Sequence, residues 1–365
     1  MIIGLIFILI IYTLINFLTL NRIYKSIAKF KKINKKAFFI TTMFISYIYI
    51  IYSLCKDFFP NFLNKILAFI GSYYLGFLFY AIILFIISYI ISLLFRKKHI
   101  KIDIYIISLL LIPIILIIGT YMGYVTKITE YDIVTDKKLT SELKVAMISD
   151  LHLGDIIDNN RFNYIIDKTN SLNPDVILIA GDLVDSDLNP IIYKNMLSSL
   201  KKFHSKYGTY ITLGNHDKYT NEDDKLTYLI DNEGATCLRN ESILINNDFY
   251  IIGRDDKSFS EVNNGLNLSN IIQNLDPNKL TIVIDHTPSR IDESIDNNID
   301  IQVSGHTHNG QLFPGNIITN SIFKLGYGYE KFKNTNVIVS SGVGTWGPPI
   351  RTTSQSEIVL LNIHN

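Results

Sequence analysis

Four long runs of apolar residues fill the first third of the chain and limit the folds open to it. The runs cover about residues 1–20, 37–54, 66–95 and 104–124. A helix needs about 20 apolar residues to cross the hydrocarbon core of a bilayer. The first run lacks a basic leader and a small-residue cleavage site, which favours an anchor over a cleaved signal peptide. Residues 1–124 are therefore predicted to form an all-α, four-helix transmembrane anchor.

Basic residues are concentrated in two of the three loops between these runs. Residues 21–36 carry seven Lys or Arg, and residues 55–65 carry only two. The link between the third and fourth runs carries Arg96, Lys97, Lys98 and Lys101. Loops rich in Lys and Arg remain on the cytoplasmic side of a membrane. The pattern therefore predicts a multi-pass protein of the cell membrane, with everything after residue 124 outside the cytoplasm.

The rest of the chain has a different composition and charge. Residues 1–124 contain 13 bases and two acids, whereas the remaining residues contain 21 bases and 31 acids. A nucleic-acid-binding surface needs a basic patch, so we expect no nucleic-acid partner. Cys55 and Cys237 are too few for a disulfide framework or a thiolate metal site, and both are expected to be free.

Short apolar runs alternate with segments of helical periodicity in this second part. The predicted strands are 145–149, 176–180, 210–213, 281–284 and 301–304. The predicted helices are 161–171, 190–203, 224–233 and 268–275. Such alternation is typical of an α/β fold with mainly parallel strands. We therefore expect a connector over residues 125–143 and an α/β domain over residues 144–365.

Five polar clusters follow these strands directly. They are Asp150-Leu151-His152, Gly181-Asp182, Gly214-Asn215-His216-Asp217, His286, and Gly305-His306-Thr307-His308. Open α/β sheets place their sites beyond the carboxyl ends of their strands. The clusters supply carboxylate, amide and imidazole ligands without a thiolate, a mixture that suits two divalent ions sharing a carboxylate.

This pattern resembles the calcineurin-like metallophosphoesterase family from about Lys144 to Ile363. The matching motifs are the five clusters, extended by Leu183-Val184-Asp185, Thr287-Pro288 and Asn309-Gly310-Gln311. The tail from Ser341 to Arg351, followed by Glu357-Ile358-Val359, is similar to the membrane-anchored bacterial branch of the family. Asn309 departs from that branch, in which glycine is common at this position.

The resemblance implies a two-sheet β-sandwich flanked by helices, with a site for two divalent metal ions (Mn, Fe or Zn). It implies that one ion is held by Asp150, His152 and His308. It implies that the other is held by Asn215, His286 and His306, with Asp182 as the bridge. The expected activity is that of a metal-dependent phosphoesterase, in which a metal-bridging hydroxide attacks phosphorus.

Several neighbouring residues are candidates for other roles. His216 is the candidate general acid, because it adjoins a ligand and is not needed as one. Asp217 is expected to orient its ring and keep it protonated. Arg351 either contacts the substrate phosphate or pairs with a surface acid. Asp185 either has a direct role in the site or is a partner of the ligands or a turn carboxylate. Trp346 either lines the pocket or packs inside the fold.

Three functions remain open from the sequence. The first is a phosphoesterase acting on phosphodiesters or lipid-linked phosphates, since a short connector keeps the site near the membrane. The second is a broad phosphodiesterase acting on soluble nucleotides. The third is a membrane sensor or structural protein whose metal site is not catalytic, and it differs from the others in predicting that loss of His216 is harmless.

Overall fold

The computed structural model of the chain describes residues 2–95, 103–259 and 267–365. Two compact units emerge. One holds the chain up to Tyr121 together with Gly347–Ile350, and the other holds Met122–Trp346 and Arg351–Asn365. The basic residues Arg96, Lys97, Lys98 and Lys101, used above to assign orientation, lie outside the described residues.

Four helices dominate the first unit, and each is long and apolar enough to cross a membrane. They are α1 (Ile2–Ile27), α2 (Lys35–Cys55), α3 (Asn61–Leu94) and α4 (Ile104–Tyr124). The four predicted spans are therefore confirmed as helices. The first helix continues past its apolar run and the third begins before it, because flanking polar residues can extend a helix that the apolar segment has already started.

Close backbone approach and one ion-pair cluster hold these helices together. A Cβ at Gly71 of α3 would lie 2.7 Å from the Cα of Tyr49 in α2, so only glycine permits this contact. Asp103, just before α4, pairs with Arg22 at 3.3 Å and Lys29 at 2.8 Å. The end of α1 and the start of α4 therefore lie at the same end of this unit.

Two six-stranded sheets form the second unit. Their strands are β1 (Lys127–Val134), β2 (Leu143–Ile148), β3 (Val176–Ala180), β4 (Thr209–Thr212), β5 (Thr236–Cys237), β6 (Glu241–Ile245), β7 (Phe249–Arg254), β8 (Leu280–Asp285), β9 (Ile301–Ser304), β10 (Gly328–Phe332), β11 (Thr335–Val339) and β12 (Glu357–His364). The strand orders are β1-β12-β2-β3-β4-β5 and β10-β11-β9-β8-β7-β6. The two-sheet architecture flanked by helices is confirmed.

Alternation along each strand divides the core into layers. On β2, Val145 and Met147 face the second sheet and join a cluster with Ile282 and Val303. The intervening residues, such as Ile148, face the helical layer. The helices of this unit are α5 (Asn159–Asn170), α6 (Leu188–Tyr193), α7 (Asn215–Tyr219), α8 (Asp223–Asn232), α9 (Leu268–Ile272), α10 (Ile291–Asp296) and α11 (Gly315–Ile322).

Two predictions about local structure are wrong. The helix predicted over 190–203 is interrupted, because Asn195 adopts a left-handed conformation (φ 49°) between α6 and a 3-10 segment, Met196–Lys202. The connector predicted over 125–143 contains β1, which pairs in parallel with β12 along its whole length. Its Ile133 is buried in the core, so this segment belongs to the sheet.

A buried arginine ties the beginning of this unit to its interior. Arg161 of α5 is 3% exposed. Its guanidinium donates to the carbonyl of Tyr124 at 2.5 Å, to Thr126 Oγ1 at 2.9 Å and to the carbonyl of Val343 at 3.2 Å. Carbonyl groups at a helix end carry partial negative charge, so the guanidinium stabilises the last turn of α4.

Candidate metal centre

The polar clusters meet at one edge of the sandwich, where β2, β3, β4, β8 and β9 end. Many of their side chains come from residues with an unusual backbone. The residues with positive φ include Asp150, His152, Asp182, His306 and His308, at 49° to 69°. Such conformations are unfavourable for residues other than glycine and persist where the surrounding structure fixes them. The site is therefore built from sharp turns directly after the strands.

Asp150, His152 and His308 form the first group of donor atoms. The Nε2 atoms of the two histidines are 3.1 Å apart, and His308 Nε2 lies 3.4 Å from Asp150 Oδ1. All three residues are buried. These are the residues that the family resemblance assigns to one ion.

Asn215, His286 and His306 form the second group. Asn215 Oδ1 lies 3.2 Å from His286 Nε2 and 2.8 Å from His306 Nδ1. The ring of His286 is held from behind, since its Nδ1 contacts the carbonyl oxygen of Ala180 at 2.8 Å. An Nδ1–H that donates to this carbonyl leaves Nε2 with a lone pair directed at the site.

Asp182 lies between the two groups. Its Oδ2 is 3.1 Å from His286 Nε2 and 3.8 Å from His152 Nε2. Its Oδ1 accepts a hydrogen bond from the backbone N–H of His216 at 2.8 Å. One carboxylate thus faces donors of both groups, which is the position that a bridging ligand requires.

The donor set fits divalent cations. Imidazole nitrogens bind such metals at about 2.0–2.1 Å, so two ligands on adjacent coordination positions lie ~2.9–3.4 Å apart. The separations of 3.1 Å between His152 and His308 and of 3.2 Å between Asn215 and His286 fall in this range. Mixed imidazole, carboxylate and amide donors suit Mn, Fe or Zn alike.

The electrostatics of the two groups differ. Burial opposes protonation of His286, but the carboxylate of Asp182 outweighs it and raises the pKa of His286 well above its ordinary value. Burial lowers the pKa of His308 well below its ordinary value, with further lowering from His152 and the guanidinium of Arg351. Negative potential is therefore concentrated around Asp182, where it would attract cations.

Two glycines are required by the close packing of these ligands. A Cβ at Gly214 would lie 2.2 Å from Asp182 Oδ1, and one at Gly305 would lie 2.5 Å from Asp150 Oδ2. Both distances are shorter than real Cβ contacts. The absence of a side chain at Gly214 and Gly305 is therefore what allows the backbone to approach these ligands so closely.

His216 lines a cavity of about 310 Å³ together with Asp182, Gln311 and Trp346. Its Nδ1 contacts the carbonyl oxygen of Asp185 at 2.5 Å. Its Nε2 has no hydrogen-bond partner in the described ranges of the chain. The side chain is 14% exposed, so the ring is reachable from the cavity.

The expected role of Asp217 is corrected by the structure. Its carboxylate accepts from the backbone N–H groups of Gly214 at 2.8 Å and Val184 at 2.9 Å. Asp217 is the third residue of α7 and caps the start of that helix, so it points into the interior. The backbone of Asp185 orients the His216 ring instead, and the Asp185 carboxylate lies 3.5 Å from His152 Nδ1.

Neither expectation for Arg351 is met. The residue is fully buried, and its guanidinium donates to the carbonyl of Gly344 and to Ser354 Oγ. Its Nη2 lies 3.3 Å from His308 Nδ1, so it stands behind a ligand rather than in the cavity. Burial lowers the pKa of Arg351 to about 10. Trp346 is 58% exposed and lines the cavity, which settles the two readings left open for it.

Comparison with known proteins agrees with this site. Residues 143–310 match the profile of the family described as calcineurin-like phosphoesterase. A metallophosphoesterase of Aquifex aeolicus is 31% identical over 258 residues, covering 68% of this chain and 97% of that protein. An uncharacterized metallophosphoesterase of Campylobacter jejuni is 34% identical over 62% of this chain and 60% of its own length.

The name of a vertebrate relative mentions both a transmembrane part and a metallophosphoesterase domain. The bovine "transmembrane protein with metallophosphoesterase domain" is 30% identical over 60% of this chain and 53% of its own length. The chain thus spans between half and two thirds of the Campylobacter and bovine relatives. With the Aquifex protein matched almost from end to end, the chain belongs to the calcineurin-like phosphoesterase family.

Proposed function

We propose that the protein is a membrane-anchored phosphoesterase that hydrolyses phosphoester bonds with a pair of divalent cations. The observation that carries this proposal is the position of Asp182. Its carboxylate faces His286 on one side and His152 on the other, at 3.1 and 3.8 Å. Two cations in such a site would polarise phosphoryl oxygens and lower the pKa of a water molecule.

The residues around the cavity have separable tasks. The seven ligand candidates, Asp150, His152, Asp182, Asn215, His286, His306 and His308, would hold the cations and neutralise charge on the phosphoryl group. His216 would donate a proton to the departing oxygen through its unpaired Nε2, while the carbonyl of Asp185 fixes the ring. Gln311 donates to the carbonyl of Trp346 at 2.8 Å and so fixes the cavity wall.

His216 also separates this proposal from a membrane sensor with a non-catalytic metal site. A purely structural site needs only its ligands. His216 is instead fixed by one ring nitrogen, and the other has no partner among the described residues and lies beside the cavity. That arrangement favours a reaction over a structural role, because proton transfer needs a positioned group with a free nitrogen.

The substrate that we propose is a phosphodiester or a phosphate linked to a lipid. The support is chain connectivity: α4 ends at Tyr124 and β1 of the catalytic unit begins at Lys127. We further propose an extracytoplasmic catalytic unit in the cell membrane, supported by the basic loops at residues 21–36 and 96–101. No nucleic-acid partner is proposed, given the acidic balance of this unit.

The test uses the full-length protein with aryl and alkyl phosphodiesters and monoesters in the presence of Mn²⁺. The His216→Gln variant is expected to keep its metal content and to lose about 10²–10⁴ in turnover of alkyl esters. The loss should be smaller for p-nitrophenyl esters, whose leaving group needs no proton.

The Asp182→Asn variant is the matched comparison, because it alters a ligand and should lose metal and turnover together. If metal-loaded wild-type protein turned over neither kind of ester, the proposed function would be wrong. Equal losses for alkyl and aryl esters in His216→Gln would reject the proton-donor role alone.

A further inference from the structure

An uncharged, apolar surface borders the metal cavity. Its members are Phe313, Ile317, Ile318, Ile322 and Trp346, which we call the apolar rim. These side chains are 52% to 68% exposed. Contiguous exposed apolar residues of this size are unusual on a soluble surface and mark an interaction site.

Helix α11 supplies the centre of the apolar rim. Residues 315–322 read Gly-Asn-Ile-Ile-Thr-Asn-Ser-Ile, and none of them is buried. At about 100° per residue, Ile317, Ile318 and Ile322 fall within an arc of ~140° on one side of the helix. The helix therefore presents a continuous aliphatic face that the described residues of its own unit do not cover.

Specific contacts fix α11 beside the metal ligands. The ring of Phe323, just after the helix, lies edge-on to the ring of His306 at 6.0 Å between centroids. Gly310, in the turn that carries His308, packs so closely on Asn316 that a Cβ there would lie 2.1 Å from the Asn316 nitrogen. The helix is therefore part of the rim of the cavity.

Trp346 is fixed to the same loop. Its backbone N–H donates to Gln311 Oε1 at 2.9 Å, and its carbonyl accepts from Gln311 Nε2 at 2.8 Å. The indole also lies edge-on to the ring of His216, at 6.1 Å between centroids. The exposed tryptophan thus lies beside the proposed proton donor and is hydrogen-bonded to Gln311, in the turn that precedes α11.

The charge pattern matches a lipid environment. Residues 309–323, which include α11, contain no Asp, Glu, Lys, Arg or His. Tryptophan and aliphatic residues are favoured on the face of a segment that enters the interfacial region of a bilayer. Soluble surfaces of similar length ordinarily carry charged residues.

The chain itself identifies the occupant. Four helices long enough to cross a membrane precede the catalytic unit, and two residues separate α4 from β1. Directly after Trp346, residues Gly347–Ile350 belong to the helical unit. One member of the apolar rim, Trp346, is thus followed directly along the chain by a segment of the helical unit, which favours lipid over a soluble protein as the partner of the rim.

From this combination we infer that the apolar rim enters the lipid surface and that the substrate is a membrane lipid. In this arrangement the acyl chains contact α11 and Trp346, and the phosphoester reaches the cavity beside His216. This inference rests on the proposed phosphoesterase function and adds its substrate class. It predicts that removing the aliphatic face impairs lipid hydrolysis more than hydrolysis of a soluble ester.

The first test is spectroscopic and needs no activity. Trp346 is the single tryptophan of the chain, so its fluorescence reports on the apolar rim alone. In proteoliposomes of the full-length protein, phosphatidylcholine with brominated acyl chains should quench this emission, and aqueous acrylamide should quench it weakly. Strong quenching by acrylamide without quenching by brominated lipid would overturn the inference.

The second test compares two substrates in the same proteoliposomes: a long-chain phospholipid and bis(p-nitrophenyl) phosphate. Losing the burial of two isoleucine side chains in Ile317→Asn/Ile318→Asn should lower the ratio of lipid to soluble turnover by at least about tenfold. Ile192→Asn is the matched control, since Ile192 is a similarly exposed isoleucine on α6, and it should leave the ratio unchanged.

The outcomes separate this inference from the proposed function. An unchanged ratio in the double variant, or a wild type that cleaves only the soluble ester, would refute the lipid substrate and leave the phosphoesterase in place. A wild type that cleaves neither ester would defeat the proposed function. The quenching of Trp346 would still decide whether the apolar rim contacts lipid.

Discussion

Gly214→Ala is expected to disable the metal centre by the addition of one methyl group. Gly214 precedes α7 with φ −97° and ψ −177°, a conformation open to alanine, so the backbone itself is not strained. The added Cβ would lie 2.2 Å from Asp182 Oδ1 and 2.5 Å from the Asp182 nitrogen. The variant therefore tests the position of one carboxylate.

The magnitude follows from the overlap. Carbon and oxygen atoms in contact lie at about 3.5 Å, so the carboxylate must move by roughly 1 Å. That movement separates Asp182 from the histidines on both sides and breaks the bond from the His216 N–H, which is 2.8 Å long. A displacement of about 1 Å at a reacting centre costs ~100-fold in rate.

The assay is turnover of an aryl phosphodiester at saturating Mn²⁺, together with metal content and the melting temperature. Gly154→Ala is the matched control, because the nearest atom to its added Cβ is Asp185 Cβ at 3.7 Å. The control should retain turnover within about threefold, since ordinary contacts at this distance cost little. Full metal content and unchanged turnover in Gly214→Ala would refute the assigned position of Asp182.

Two further predictions concern stability and orientation. Burial would raise the pKa of Glu357, but hydrogen bonds from the Ser341 N–H at 2.8 Å and the nearby Lys127 lower it below its ordinary value. The stabilisation that Glu357 provides is therefore lost as pH falls through that lowered pKa. Glu357→Gln should lower the free energy of unfolding by about 1–3 kcal/mol at neutral pH and reduce the dependence of the melting temperature on pH in acid. Equal melting temperatures of variant and wild type at pH 7 would contradict this. A reporter enzyme that works only outside the cytoplasm should be active when it is fused after Asn365. Activity of a reporter that works only inside the cytoplasm, fused at the same position, would contradict the proposed orientation.

The sequence was sufficient to locate the candidate ligands because their positions depend on a general property of the fold. Parallel strands of one sheet end at a common edge, so the clusters after β2, β3 and β4 must approach one another, and so must those after β8 and β9. That the two edges meet follows from the two-sheet sandwich that the family resemblance implies. The glycines at 214 and 305 could be interpreted in the same way, since ligands that share a small site need close backbone approach.

Side-chain direction could not be obtained from sequence spacing. Asp217 was placed beside His216 because it follows it, but capping of α7 turns its carboxylate to the backbone of Gly214 and Val184. Arg351 was expected at the surface or at the substrate, and its burial behind His308 depends on contacts between distant segments. These outcomes are set by tertiary packing, which short-range patterns do not encode.

Long-range pairing explains why the sequence does not predict β1 in the segment that was expected to be a connector. The segment 127–134 shows only a short alternation of apolar residues, and its partner β12 lies at the other end of the catalytic unit. Pairing between such distant segments depends on the completed sheet. The break at Asn195 in the predicted 190–203 helix is likewise set by a single left-handed residue.

The hydrogen bonds of Arg161 determine where a soluble version of this protein can begin. A fragment that starts after Tyr124 would delete one of the carbonyl groups that accept from the guanidinium and leave a buried N–H of Arg161 without its partner, a defect that costs about 1–3 kcal/mol. Expression trials should therefore use a fragment that keeps Met122, Gly123 and Tyr124. Any apolar residues that are retained before Met122 should be replaced by polar ones. The final turn of α4, from Met122 to Tyr124, therefore belongs structurally to the second unit.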